Sequence, residues 1–500
     1  MAGCALIVAC NTSDGGGGSG SGGGNNGDVV GIGNVGGSVN AVSADGLVVV
    51  GQSNVVGSGS DAFRWTLMDG MQSLGHLAGG DALFSIAEDV SFNGDVVVGS
   101  SHSTFTNEAF RWENVMGSGV MTGLGVISGT DPATTFSIAH AVGADGTEVV
   151  GKAAVGLSAD VATSDFGTHS FRWTTAAPTV TSNGDLANGL VDGSATAIFD
   201  HPNINLVAGT GISHTVTRIP RDATSFAWHR EAYYSKDGLA LIGIGSLSGG
   251  FVLPSALYGV PDGSGNLICP TSIDDMKRCF FARDDRPPCP TCSHDGELAK
   301  VNDSYANDVV VRFPAAAGFR TVVVVGSSFR DTLSTSFPEA FRWQEDKSNI
   351  SLFRCSIDDV AFQATGAPLC MQGLGDLPGG DKHSVANAIS TFGDNTPPLG
   401  FDAIGPLVIV GFGHTAEGKR AFRWEYDGAC SPDGTGADPC MEDLGVFLRD
   451  PANGFEPFDP GDWTFIEATD ISEDGTVIVG NGINPDGEEE GFIVTLVRVP

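Results

Sequence analysis

Cysteine is the residue type whose spacing says most about chemistry in this chain. Of its ten cysteines, Cys4 and Cys10 stand near the start, and the other eight lie in the second half: Cys269, Cys279, Cys289, Cys292, Cys355, Cys370, Cys430 and Cys440. Cys370 and Cys440 each immediately precede a methionine, Met371 and Met441. Their nearest upstream cysteines, Cys355 and Cys430, each follow a Phe-Arg-Trp run, at 341–343 and 422–424. One local context occurring twice predicts one bond occurring twice, Cys355–Cys370 and Cys430–Cys440. Such bonds imply an oxidising compartment. Cys289-Pro-Thr-Cys292-Ser-His294, with Cys269 and Cys279, has the make-up of a zinc knuckle or a redox dithiol. In an exported chain two further disulfides are the simpler expectation, and no βαβ pattern surrounds the motif.

Other reactive types are scattered. The ten histidines form no His-x-x-x-His or His-Glu-x-x-His cluster. There is no phosphate-loop lysine motif, and no Gly-x-Ser-x-Gly elbow stands between a strand and a helix. No catalytic residue and no cofactor is therefore expected. Asp433-Gly-Thr-Gly-Ala-Asp438 groups oxygen ligands around glycines and could take calcium, although a disulfide-closed loop explains it equally. Arg64, Arg111, Arg172, Arg342 and Arg423 recur in one context. They could line an anion site, but a repeated structural pair with an acid of a neighbouring strand is the expectation. Glu488-Glu-Glu490 reads as a solvated turn.

These residues sit on a repeat, the strongest pattern in the chain. Ser43-Ala-Asp45-Gly46-Leu-Val-Val-Val-Gly51 is followed by Ala62-Phe63-Arg64-Trp65 and Met71-Gln-Ser-Leu74-Gly75. The phrase returns at Asn93-Gly94, Ala109–Trp112 and Met121–Gly125, and at Asp145-Gly146 and Ser170–Trp173. Later copies run through Ala340–Trp343 and Met371–Gly375, Val408–Gly411, Ala421–Trp424 and Met441–Gly445, and Asp474-Gly475 to Gly480. Asp-Gly and Asn-Gly supply the positive φ angles of a hairpin turn. Val-Val-Val suits a strand covered on both faces. In Ala-Phe-Arg-Trp, alternation places Phe and Trp on one face and Ala and Arg on the other. Met-x-x-Leu-Gly makes a fourth strand. Ser85-Ile-Ala87, Ser137-Ile-Ala139 and Ser384-Val-Ala386 lead into the next turn, and their small residues suit a strand crowded against an axis.

Four antiparallel strands repeated around an axis describe an all-β fold, a β-propeller. Two poor central copies, Leu206–Gly209 with Ser225–Trp228 and Ser235–Gly243 with Gly250–Leu253, bring the count to about eight blades; taken as one distorted blade they make seven. Eight blades over residues 28–500 average about 59 residues, longer than a lean blade, with the excess in loops and a Cys-rich insertion near 255–300. The chain ends on Phe492-Ile-Val-Thr-Leu496, a third strand with no fourth after it. Residues 28–34 are therefore expected to close the ring as the outer strand of the last blade, paired antiparallel with residues near 491–497.

The Ala-Phe-Arg-Trp, Met-x-x-Leu-Gly, Ser-x-Ala and Asp-Gly-x-Val-Val-Gly phrases resemble the HAF-family extracellular repeat of bacterial secreted proteins, over most of residues 38–496. The resemblance is strong in five or six copies and poor between about 180 and 330. It implies secretion and a propeller-like repeat, and brings no catalytic residues.

The N-terminus agrees. Residues 1–10 look like the tail of a secretory signal without its basic start. Ile7-Val8-Ala9-Cys10 resembles a bacterial lipobox, which would make Cys10 a lipidated N-terminus. Residues 11–27 are mostly Gly, Ser and Asn, a flexible linker that would span roughly 20–25 Å. Sixty acidic against 25 basic residues leave a net charge of −35. That charge disfavours nucleic acid and anionic lipid surfaces as partners. Together these features predict a non-enzymatic lipoprotein, anchored at the outer membrane or cell surface by lipid alone. Its propeller would present loops to a protein or glycan partner. The alternative is a glycan hydrolase or lyase with carboxylates at the propeller mouth, which requires partly buried acids of raised pKa near the axis.

Overall fold

The computed structural model describes residues 28–33, 36–55, 59–80, 84–105, 107–115, 118–127, 135–154, 167–184, 186, 192–201, 204–218, 224–236, 241–244, 260–261, 267–268, 303–312, 321–329, 337–346, 371–390, 407–425, 430 and 440–499. Seven four-stranded sheets form a seven-bladed β-propeller. Blades 1 to 6 span residues 38–75, 85–125, 137–184, 193–243, 304–373 and 379–443, with their strands in sequence order from the axis outward. Blade 7 takes its three inner strands from 464–495 and its outer strand from Asp28–Gly31. The register is antiparallel, with Asp28 opposite Thr495 and Gly31 opposite Phe492. Closure by the N-terminal strand is thus as the sequence predicts.

Of the two counts the sequence allows, eight and seven, the structure has seven. The two poor central copies are one blade. Its second strand, Ile204–Arg218, pairs with a third strand, Thr224–Lys236. In blades 1, 2 and 6 the second-strand glycine stands opposite the Phe of Ala-Phe-Arg-Trp, as Gly51 does opposite Phe63. In blade 4 that place belongs to Gly209 and Tyr233. The true third-strand phrase is Ala232-Tyr-Tyr-Ser235, whereas Ser225–Trp228 lies farther along the same hairpin. Another expected strand is cut short in blade 6. Its outer strand ends at Asp443, which caps a short helix, Leu444–Arg449, by accepting the Val446 amide.

Each blade is covered on both faces by its neighbours. Phe63 packs with Val477, Val479 and Ile493 of blade 7. Ala62 packs with Val97 and Phe110 of blade 2. The Phe face therefore meets the preceding blade and the Ala face meets the next. The second-strand glycine marks where the first strand comes closest, because a Cβ on Gly99 would stand 1.9 Å from the Ile86 carbonyl oxygen. Backbone cannot yield cheaply there. We expect Gly99→Ala to cost about 3 kcal/mol and Gly70→Ala, which meets open space at φ 68°, about 1 kcal/mol. Urea denaturation of the two variants checks the difference.

The meander fixes two faces. First-to-second and third-to-outer connections lie on one, here the lower face. Second-to-third connections and the passages to the next blade lie on the other.

Candidate functional site

Each innermost strand carries a bulge where it faces the axis. The extra residue is Asn40, Glu88, His140, Thr196, Asn307, Asn387 or Thr469 in blades 1 to 7, and all seven are half-buried. A bulge turns its own side chain and frees a backbone amide, so the axis is lined by polar groups. Four of the seven reach the next blade. Asn40 Nδ2 donates to the Ala87 carbonyl at 2.7 Å, Thr196 Oγ1 to Ala306 at 2.7 Å, Asn307 Nδ2 to Ala386 at 2.8 Å, and Asn387 Nδ2 to Ala468 at 2.9 Å.

The following position is Ala41, Asp89, Ala141, Ala197, Asp308, Ala388 and Asp470 in turn. The three aspartates share one geometry. Asp89 accepts the amide of Val90 on Oδ1 at 2.7 Å and that of Val142, in the next blade, on Oδ2 at 2.8 Å. Asp308 does the same with Val309 and Ile389, and Asp470 with Ile471 and Val42. Solvent reaches these carboxylates only in part, and protein surrounds them otherwise. Burial pushes Asp89 up to about 6 and Asp308 up to about 7 against the pull of their amides. It raises Asp470 well above the usual carboxylate range, helped by the charges of Asp89 and Asp308. Glu88 has no hydrogen bond among the described residues; burial lifts it to about 6, Lys152 draws it back and Asp89 lifts it further. Burial lowers His140 to about 4, with Lys152 adding to the effect. Its Nε2 has no partner among the described residues.

The sequence reading missed this ring. Its signal is an Asp two residues after the innermost-strand alanine, which follows Ser-x-Ala at Asp89 and Asp308 and Ile466-Glu-Ala468 at Asp470. The serines of that phrase are joints as well as small residues. Ser85 Oγ accepts the Ala62 amide and donates to the Gly75 carbonyl; Ser137 and Ser384 repeat both bonds.

Cys430 and Cys440 are disulfide-bonded, with Cα atoms 5.1 Å apart, at the expected place between third and outer strands. Cys10, Cys355, Cys370, Cys269, Cys279, Cys289 and Cys292 lie outside the described residues, as does the 433–438 loop. Among the described residues no three His, Cys, Asp or Glu side chains are grouped to hold a metal ion. The arginine expectation is corrected in part. Arg172 does pair with Glu148 of the adjacent strand at 2.5 Å, but Arg111 and Arg423 pair with acids on their own strands. Several also serve the next blade: Arg64 and Arg111 donate Nε–H to the turn carbonyls of Gly94 and Gly146, and Arg342 lies over Trp424. Glu490 is not a solvated turn residue. Its Oε1 accepts the Gly33 amide at 2.7 Å and its Oε2 accepts from Asn484, which holds the closing strand in place.

No family model matches the chain, and no curated protein is significantly similar to it.

Proposed function

We propose that the chain is an exported lipoprotein of the HAF-repeat kind, anchored through Cys10, whose propeller presents loops to a protein or glycan partner and performs no chemistry of its own. The use made of the axial acids carries this reading. Both oxygens of Asp89, Asp308 and Asp470 are occupied by amides of two adjacent blades, so these carboxylates are joints of the scaffold. The disulfide supports an oxidising compartment.

On the upper face the longest second-to-third ladder among the described residues belongs to blade 4. In blade 4 the ladder of second and third strands runs on to Arg218–Thr224, whereas in blade 2 it stops at Ser101–Glu108. The passage to blade 5, residues 245–302, leaves and returns at the same face. Replacing residues 214–228 by Asn-Gly would shorten the hairpin with a matching turn. On an array of surface glycans and outer-membrane proteins, binding by the full chain should weaken at least about tenfold in this variant, the loss of roughly 1.4 kcal/mol. Unchanged binding would overturn the reading.

One observation favours the hydrolase or lyase alternative. Glu88 is a carboxyl raised to about 6, suited to a general acid. Glycan cleavage that disappears in Glu88→Gln would establish that reading instead.

A further inference from the structure

Six of the nine exposed large apolar side chains among the described residues occur on two adjacent blades at one level: Leu47, Leu67, Met68, Phe92, Val115 and Val120. All belong to lower-face turns or the strand ends beside them. Met68 is 94% exposed. Leu47 precedes Val48, which pairs with Thr66, so Leu47 and Leu67 adjoin across the ladder. A Cβ on Gly94 would lie 2.3 Å from Val48 Cγ2, which brings the turn holding Phe92 against that of Leu47. These tips therefore continue across the blade boundary, and isolated surface apolar residues would not.

The closing strand begins at the same level. Asp28 stands opposite Thr495, which also pairs with Val477 just past the lower turn of blade 7. Blade 7 adjoins blade 1. From Cys10 to Asp28 the chain would span roughly 20–25 Å, about the radius of gyration of a chain this size. Lipid on Cys10 would thus hold the lower face within reach of the bilayer. Asp45, Asp69 and Asp95 are exposed among the apolar tips. They would be repelled by anionic headgroups and matched by the ammonium of phosphatidylethanolamine.

We infer that the lower turns of blades 1 and 2 rest in a phosphatidylethanolamine-rich bilayer surface, giving the anchored propeller a fixed orientation with its upper face outward. The inference rests on the lipid anchor proposed above. The test is hydrogen exchange on the full acylated chain in phosphatidylethanolamine–phosphatidylcholine vesicles, against Cys10→Ser in solution. Amides of 44–47, 67–70, 92–95, 113–115 and 118–120 should exchange about tenfold more slowly on vesicles, the effect of half-burying one leucine-sized side chain. The double variant Met68→Asp with Phe92→Asp should keep lipid on Cys10 and lose that protection. Acylated protein without protection at these turns would overturn the inference alone. Absence of lipid on Cys10 would remove the anchor and the inference together. Protection that appears without vesicles and grows with protein concentration would put a second copy on this face and overturn the inference.

Discussion

Deleting residues 28–33 should lower the melting temperature by several degrees and drive the chain into oligomers. The segment supplies the outer strand of blade 7. It also supplies Ile32, 4% exposed in a cluster with Val39, Val477 and Ile493. Burial of Ile32 is worth about 2 kcal/mol. Each lost hydrogen bond adds about 1 kcal/mol; they include Ile32 N–H to Gly491 and Gly33 N–H to Glu490. A total of about 4–5 kcal/mol is a large part of a typical domain's stability. The ring should loosen without unfolding, because blades 7 and 1 keep other bonds. Asn481 holds both backbone groups of Val39, Asp470 holds the Val42 amide, and Glu473 N–H donates to Ala44. The bared edge of Glu489–Thr495 would then be open to another chain. Deleting residues 11–24 should do neither. Calorimetry and size-exclusion chromatography on the two deletions read the contrast, and an unchanged melting curve after the first would contradict the closure energetics.

Stability should fall as the pH rises from about 4 to 7, because the raised axial carboxyls outweigh the one lowered histidine that opposes them. The aspartates set the direction. Their folded pKa values stand above the unfolded value of 3.8, at about 6 for Asp89 and about 7 for Asp308, with Asp470 raised too. The folded state therefore holds extra protons between about pH 4 and 7, and stability declines as the pH rises through that window. Glu88 acts in the same sense, with Lys152 the cation facing it. For Asp89 alone the span is worth about 2–3 kcal/mol. Coulombic coupling among the three makes their effects non-additive. His140 opposes them. Its folded pKa lies near 4, below the ordinary 6.5, so its stabilising effect is present above 6.5 and is lost as the pH falls towards 4. Asp308→Asn keeps one acceptor for two amides. It should be about 1–3 kcal/mol less stable than the parent at pH 5, with the gap closing by pH 8. His140→Asn, which installs the residue found at positions 40, 307 and 387, should steepen the decline between about pH 4 and 6.5. Urea unfolding at pH 5, 6 and 8 measures both effects. A gap that widens towards pH 8 in Asp308→Asn would contradict the raised pKa.

The blade was legible because each of its strands carries its own turn and period. Asp-Gly marks the first hairpin, and the Val run and the Phe-Arg-Trp alternation mark strands pressed between two neighbours. The missing fourth strand after Leu496 pointed to residues 28–34. Blade 4 misled because its requirement is weaker than the phrase. The third strand needs a small residue and then a ring opposite the second-strand glycine, and Ala232-Tyr233 meets that need. Ser225-Phe-Ala-Trp228 resembles the phrase without occupying its place. The axial aspartates were hidden for another reason. Their partners are backbone amides freed by bulges, one of them in the next blade, and no residue type records where a bulge will fall. The serines looked merely small, although they take up the amide of the alanine that precedes each third-strand ring.

The three axial aspartates obey a parity rule. Each behaves as a domino laid across two blades, covering its own amide and the equivalent amide of the blade after it. Blades 2 and 3, 5 and 6, and 7 and 1 are tiled in this way. Seven is odd, so three dominoes cover six amides and one blade is left over. That blade is blade 4, at Ile198, where the repeat has drifted farthest from its phrase. A fourth aspartate at Ala141 would have to share the Val142 amide with Asp89, and one at Ala197 would have to share the Val309 amide with Asp308. The odd blade number itself thus limits the bridging aspartates to three, and a ring of eight built on the same joint would have room for four.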